Sequence, residues 1–325
     1  MLIEDNNLKR ILNKIIEKKS ITRKDSFFIS SRVDIWDLLY GAHIIRRRFF
    51  DNKIHLCSIV NAKSGNCSEN CKFCAQSFRH ATKIKTYNLL SSKAIKKAYF
   101  RAKANKVTGF SIVTSGNRLA NQEIDRLCKI VQELCAQKKG PYLCLSVGRL
   151  TPQTIIRLKE SGITKCHHNL ETSRSFFSKI CTTHSYNDRI VTVLNLKRAG
   201  IKVCSGGIFG LGESWRDRIN LAFMLKKLNV DSVPLNFLMP VKGTPLGKMK
   251  SLSPMEALKI IAIFRYILPD TDIRICAGRE KVLRDYQSLI FYAGATGMMV
   301  GGYLTQAGRA ATDDFQMLAD SGLKS

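Results

Sequence analysis

From residue 54 to the end of the chain, short apolar runs alternate with stretches whose apolar positions recur at helical spacing. The runs fall at 54–60, 109–113, 142–147, 163–168, 202–207, 232–237, 272–276 and 296–301, and each predicts a strand. Eight strands with helices between them, over roughly 250 residues, predict an α/β fold, a (β/α)8 TIM-type barrel. At Ser161-Gly162-Ile163, Ala199-Gly200-Ile201 and Ala293-Gly294-Ala295, a glycine ends a helix and an apolar strand follows. Ser253 as N-cap, Pro254 at the first position and Glu256 form a capping-box pattern for a helix over 254–268, which Pro269 stops. Ahead of the barrel, Leu8, Ile11, Ile15 and Ile16 repeat at helical spacing, as do Trp36, Leu39, Ile44 and Ile45. The chain reads as an N-terminal helical extension over 1–50, then a barrel with a C-terminal helical tail over 51–325. Chemistry in such barrels sits at the C-terminal ends of the strands.

Composition adds bounds rather than function. The 325 residues are 45% hydrophobic, enough for a large core, and no apolar run reaches the 18 or so residues a membrane helix needs. The opening MLIEDNNLKRILNKIIEKK places charges where a signal peptide has its apolar centre, so a cytoplasmic chain with no membrane association is expected. There, cysteines stay reduced and available for metal. The net charge of +28 raises nucleic acid as a partner, but the basic residues are scattered over helix faces, as at Lys96, Lys97, Arg101 and Lys103. A basic solvated surface is expected instead, with no nucleic acid and a bias toward anionic small molecules and acidic electron-transfer partners.

The chemistry begins at NAKSGNCSENCKFCAQS, residues 61–77, where Cys67, Cys71 and Cys74 are spaced C-x3-C-x2-C with no fourth cysteine. Four cysteines saturate a four-iron cluster, whereas three leave one iron open to a substrate or cofactor. A zinc knuckle completed by His80 is the alternative, but no second knuckle accompanies it. Cys57, Ser111, Cys144, His168, Cys204, Asn236 and Arg274 lie in or at the ends of separate strand candidates, more polar and thiol chemistry than packing needs. Cys128 and Cys135 fall on an amphipathic helix and read as small buried hydrophobes.

The three-cysteine spacing resembles the signature of radical S-adenosylmethionine enzymes, in which that molecule's amino and carboxylate groups chelate the open iron. Over residues 35–320 the chain resembles the biotin synthase family, through residues 61–77, HHNLETS (167–173), IKVCSGGIFGLGE (201–213), SVPLNFLMPVKGTPL (232–246) and IRICAGRE (273–280). The resemblance implies radical insertion of sulfur into dethiobiotin. A 4Fe-4S cluster on Cys67, Cys71 and Cys74 would deliver one electron to S-adenosylmethionine, giving methionine and a 5′-deoxyadenosyl radical. It implies Phe73 beside the adenine, Asn169 and Glu171 on the bound cofactor, and Gly206, Ile208 and Gly210 of the motif ending at Glu213 letting backbone approach the adenine. It places Asn236 near the substrate and the cofactor ribose, and Thr305 near the dethiobiotin carboxylate. A second family threonine is replaced within Thr305-Gln306-Ala307, and Arg309 is a candidate for the same carboxylate. It further implies a reduced flavodoxin or ferredoxin-type donor, iron–sulfur assembly machinery and a homodimer. Radical maturases and mutases of similar barrel type lack the Cys144, Cys204 and Arg274 set.

One departure matters. In the family a second, 2Fe-2S cluster donates the sulfur from three cysteines and an arginine; Cys144, Cys204 and Arg274 match three of those ligands, but Ser111 stands at the fourth. Cys57, Cys181 and Cys276 are the candidate replacements, and Cys166 is a weaker one. A rebuilt auxiliary cluster, of two or four irons, is expected.

Overall fold

The computed structural model describes residues 3–137, 139–305 and 308–324. Its centre is a closed ring of parallel strands: β1 (His55–Lys63), β2 (Gly109–Thr114), β3 (Tyr142–Ser146), β4 (Lys165–His167), β5 (Lys202–Cys204), β6 (Gly207–Phe209), β7 (Ser232–Phe237), β8 (Asp272–Ile275) and β9 (Gly297–Met299). Neighbours pair in sequence order from β1 to β5, β7 pairs with β5, β6 and β8, and β9 closes the ring against β1. This is the expected eight-stranded barrel, with β5 and β6 as two halves of its fifth stave.

The run expected as one strand over 202–207 is interrupted, and Pro234 explains why. Cys204 pairs with Ser232 and Gly207 with Leu235, so the register is continuous across the break. Ser205 N donates to Ser232 O (2.9 Å), and Pro234 then offers no N–H for the next rung. The freed Gly206 carbonyl instead accepts Leu170 N (3.0 Å) and Glu171 N (3.2 Å), which ties the end of the fourth stave to the fifth. Glycine is required there, because a Cβ at Gly206 would lie 2.0 Å from Pro234 O.

Helices α1 (Asn6–Ile16), α2 (Arg23–Ser31) and α3 (Ile35–Phe49) form the N-terminal extension. Leu8, Ile11, Ile15, Leu39 and Ile45 are buried as their spacing predicted, whereas Trp36 is 54% exposed. Helices α2 and α3 pack on helix Pro254–Ile267. That explains its sequence: beyond Glu256 and Lys259 the helix is buried almost throughout, and mostly apolar, because barrel and extension cover opposite sides. The expected capping box is only half formed. Ser253 Oγ accepts Glu256 N (3.2 Å), but the Glu256 carboxylate pairs with Arg218 (2.7 Å). Gly162, Gly200 and Gly294 end their helices at φ of 106°, 73° and 105°, as predicted. The tail helix Ala311–Asp320 is fastened by Asp314, which takes two 2.8 Å bonds from the buried Arg279 guanidinium.

Candidate functional site

The loop after β1 carries the three cysteines, and its shape does not depend on their thiols. Cys67 N donates to Gln76 O (3.0 Å), Phe78 N to Cys67 O (2.9 Å) and Cys74 N to Cys71 O (2.9 Å). Residues 180–183 support it from outside: Asn70 Oδ1 accepts Thr182 N (2.9 Å) and Thr183 N (3.3 Å), and Lys72 N donates to Ile180 O (2.9 Å). His80, the residue a zinc knuckle would need, turns Nδ1 to the Cys74 carbonyl (2.9 Å).

Below this loop the barrel encloses a cavity of about 400 Å³. Phe73 and Cys74 line it near the loop, with Met239 and Val241 from the segment after β7. Cys57 on β1, Ser111 on β2, Cys144 on β3, Cys204 on β5, and Arg274 and Cys276 at the end of β8 line it deeper in the barrel. Alternation along the strands puts all of them inside. Arg274 is anchored by Asp272, with Nε 2.7 Å from Oδ2, and its Nη1 contacts both Cys57 Sγ and the Tyr142 hydroxyl. Burial works against the Asp272 carboxylate, but Arg274 holds its pKa below the ordinary value. Burial, with Cys204 beside it, pushes the Cys144 thiol up to about 12, against the pull of Lys165 and a hydrogen bond to Ser111.

Four expectations are corrected by placement. Cys181 does not line the cavity: its Sγ lies 3.7 Å from Cys71 Sγ and 3.3 Å from His184 Nδ1, so it belongs to the three-cysteine loop. The cause is local, because helix Arg174–Ile180 ends at an extended Cys181 that turns the thiol toward that loop. His168 is buried outside the cavity and His167 lines it instead; burial lowers the His167 pKa to about 4. Cys166 alternates outward between Lys165 and His167. Cys135 is exposed rather than buried, at the last turn of helix Asn121–Cys135.

At the cavity edge, Asn169 and Glu171 form one polar unit. Asn169 Nδ2 donates to Glu171 Oε2 (3.2 Å) and its Oδ1 accepts Gly206 N (3.0 Å). Glu171 has φ of 67°, held by the bond from Ile208 N to its carbonyl (2.8 Å). Ile208 lines the cavity, whereas Gly206 and Gly210 do not. Glu213 is structural, its carboxylate accepting Gly210 N (3.0 Å), Leu211 N (2.7 Å) and Arg218 Nε (2.7 Å). Asn236 faces the cavity while bridging β6 to the segment after β8, donating to Gly207 O (3.1 Å) and accepting Ala277 N (3.1 Å).

Residues 62–225 match the Radical SAM superfamily, and residues 234–324 match the Biotin and Thiamin Synthesis associated domain. Biotin synthase of Endomicrobium trichonymphae is 47% identical over 98% of this chain and 98% of its own. That of Thermodesulfovibrio yellowstonii is 48% identical over 89% and 91%. The chain belongs to the biotin synthase family. Methylornithine synthase shares the fold, with a TM-score of 0.84 at 22% identity over 97% of this chain and 96% of that one.

As a biotin synthase, the protein is a radical S-adenosylmethionine enzyme that inserts sulfur into dethiobiotin. It uses a 4Fe-4S cluster, S-adenosylmethionine and an auxiliary iron–sulfur cluster. The residues present suit these groups: eleven free thiols, seven of them in the cysteine loop or lining the cavity, and a partly enclosed space between the two sets. Thr305 lines the cavity, with Tyr303 and Leu304. Gln306 and Ala307 lie outside the described residues. Arg309 does not reach the cavity, its guanidinium lying 3.7 Å from both Asp313 and Asp314. Among the cavity residues that went unread in the sequence are Tyr142 and Lys165. For Lys165 the signal was a charged residue inside the apolar run ITKCHH. Gly109 makes room for Tyr142, since a Cβ there would lie 2.5 Å from its ring.

Proposed function

We propose that Cys67, Cys71 and Cys74 hold the 4Fe-4S cluster. Phe73, Asn169, Glu171, Ile208 and Asn236 receive S-adenosylmethionine beside it, with Gly206 and Gly210 shaping the backbone there. Cys144, Cys204 and Arg274 hold the auxiliary cluster with Cys57 and Cys276 in place of the missing ligand at Ser111. The observation that carries this reading is a single cavity with the three-cysteine loop at one end and four thiols with Arg274 deeper inside.

Bound there, the groups supply a radical able to take hydrogen from an unactivated carbon, and the sulfur that replaces it. The chain's own part is positioning and exclusion. Phe73, Met239 and Val241 cover the space with apolar surface, and the barrel wall keeps bulk water from a reactive carbon between the two sites. Asn169, fixed from both sides, aims the Glu171 carboxylate. Arg189 lies 3.5 Å from Glu171 and donates to Asn169 O (2.9 Å), bracing both residues at the cavity edge. Thr305 is available to the dethiobiotin carboxylate. We assign electron delivery to a reduced flavodoxin or ferredoxin-type donor, whose acidic surface suits a +28 chain. Loading by iron–sulfur assembly machinery, a homodimer and a cytoplasmic setting complete the proposal. No helix among the described residues is long and apolar enough to cross a membrane.

The test is an anaerobic iron and sulfide count with Mössbauer spectra on reconstituted protein. Iron in excess of one four-iron cluster, with a second spectral component lost in Cys144→Ala, supports the reading. A single component unaffected by Cys144→Ala ends it. Glu171→Ala should weaken S-adenosylmethionine binding roughly tenfold or more, since it leaves donors without an acceptor at about 1–3 kcal/mol, while the cluster spectrum stays unchanged. Unchanged affinity by equilibrium dialysis would move Glu171 to a purely structural role.

A further inference from the structure

Six lysines or arginines are buried among the described residues: Arg46, Lys165, Arg218, Arg265, Arg274 and Arg279. Five have partners. Arg46 donates to Ala295 O, Arg265 to the carbonyls of Gly294, Leu268, Pro269 and Thr271, Arg218 pairs with Glu213 and Glu256, Arg274 with Asp272, and Arg279 with Asp314. Lys165, 8% exposed, is the exception: beyond its backbone pairing in β4, its ammonium has no hydrogen-bond or carboxylate partner among the described residues. Its ammonium lies 5.2 Å from the centre of the Tyr142 ring, and both residues line the cavity. The ammonium opens on the cavity with no carboxylate paired to it, and an anion bound in that cavity would meet it directly.

The surroundings say which anion. Lys165 opens β4 in direct register with Cys144 on β3, which is itself in register with Ser111 on β2. Arg274 reaches the same Tyr142 ring, 5.8 Å from its centre, but its charge is matched by Asp272. The deep end of the cavity therefore holds the unmatched positive charge of Lys165 among the thiols of Cys57, Cys144, Cys204 and Cys276. A thiolate-bound iron–sulfur cluster is an anion with sulfur acceptors on its surface, and hydrogen bonds to those sulfurs raise its potential.

We propose that Lys165 is the positioning cation of the auxiliary cluster, donating N–H bonds to its sulfur atoms beside Cys144. This rests on the reading that the cavity cysteines hold that cluster. It gives Lys165 the job of retaining an anionic sulfur donor in a site that has one serine in place of a thiolate.

The test compares Lys165→Met, Lys165→Gln and Lys165→Arg with the parent protein after anaerobic reconstitution. It reads auxiliary iron by Mössbauer spectra, its rate of loss to a chelator without S-adenosylmethionine or dethiobiotin, and dethiobiotin affinity. The Met and Gln variants should lose auxiliary iron about tenfold faster or fail to load it, and Arg should restore most of the retention. The three-cysteine cluster should stay at parent occupancy in all of them, which reports an intact fold. Parent-like retention in Lys165→Met and Lys165→Gln overturns the assignment. So does intact auxiliary iron with dethiobiotin binding about tenfold weaker, which would give the cation to the substrate carboxylate. A parent protein whose iron is unchanged by Cys144→Ala fails earlier, at the cavity reading itself, and removes the anion that Lys165 was assigned to meet.

Discussion

A chain with Ser111 changed to alanine should keep its auxiliary iron, whereas Cys57→Ala should lose most of it. Ser111 faces the cavity where the resemblance implies a cysteine, but an alcohol oxygen is a poor match for iron that prefers soft sulfur donors. The serine stands in direct register with Cys144 on the next strand. Cys57 lies on the adjacent strand with its Sγ beside Arg274 and 3.5 Å from the Tyr142 hydroxyl. It therefore sits against the arginine proposed to hold the auxiliary cluster. Cys144→Ala and Cys204→Ala should behave like Cys57→Ala. All three should still cleave S-adenosylmethionine while biotin formation falls to background, separating radical generation from sulfur donation. Cys181→Ala should leave the auxiliary iron in place, because that thiol lies at the three-cysteine loop. Loss of auxiliary iron in Ser111→Ala, with retention in Cys57→Ala, would reverse the ligand assignment.

Changing Cys67, Cys71 and Cys74 together to alanine should abolish 5′-deoxyadenosine formation under strong reductant. On the proposed assignment each thiolate would anchor one iron, so their loss should remove the cluster rather than weaken it. The barrel should survive. The loop is shaped by the Cys67, Cys74 and Phe78 backbone bonds and by Asn70 against Thr182 and Thr183, none of which uses a thiol. Far-ultraviolet circular dichroism should match the parent, and iron should fall by the four-iron component. Formation of 5′-deoxyadenosine by this variant would refute the radical site.

Much of this architecture is legible in the amino-acid sequence. The apolar runs mark all eight staves because a strand packed inside a ring of helices must be apolar, whatever its partners. The glycines after Ser161, Ala199 and Ala293 mark helix ends because few other residues adopt a positive φ without cost. Cys67, Cys71 and Cys74 were readable because a local loop supplies all three thiols. What stayed hidden depends on contacts distant in sequence. The break between β5 and β6 comes from Pro234, some thirty residues away along the chain. The half-formed capping box at Ser253 comes from Arg218, which takes the Glu256 carboxylate.

The same division runs through the site. Composition and spacing determined that the chain is a barrel with a three-cysteine loop after its first stave, and that its remaining cysteines fall on several different strands. Only the tertiary structure decided which of those thiols meet. Closing the ring brings β1 between β2 and β9, placing Cys57 against Arg274 on β8, 217 positions away. A one-residue alternation turns Lys165 and His167 inward and Cys166 outward, and the extended end of one short helix carries Cys181 to Cys71. A strand sequence specifies alternation, but the strand's phase and its neighbours across the barrel are set by ladder register and ring closure, which no local pattern encodes.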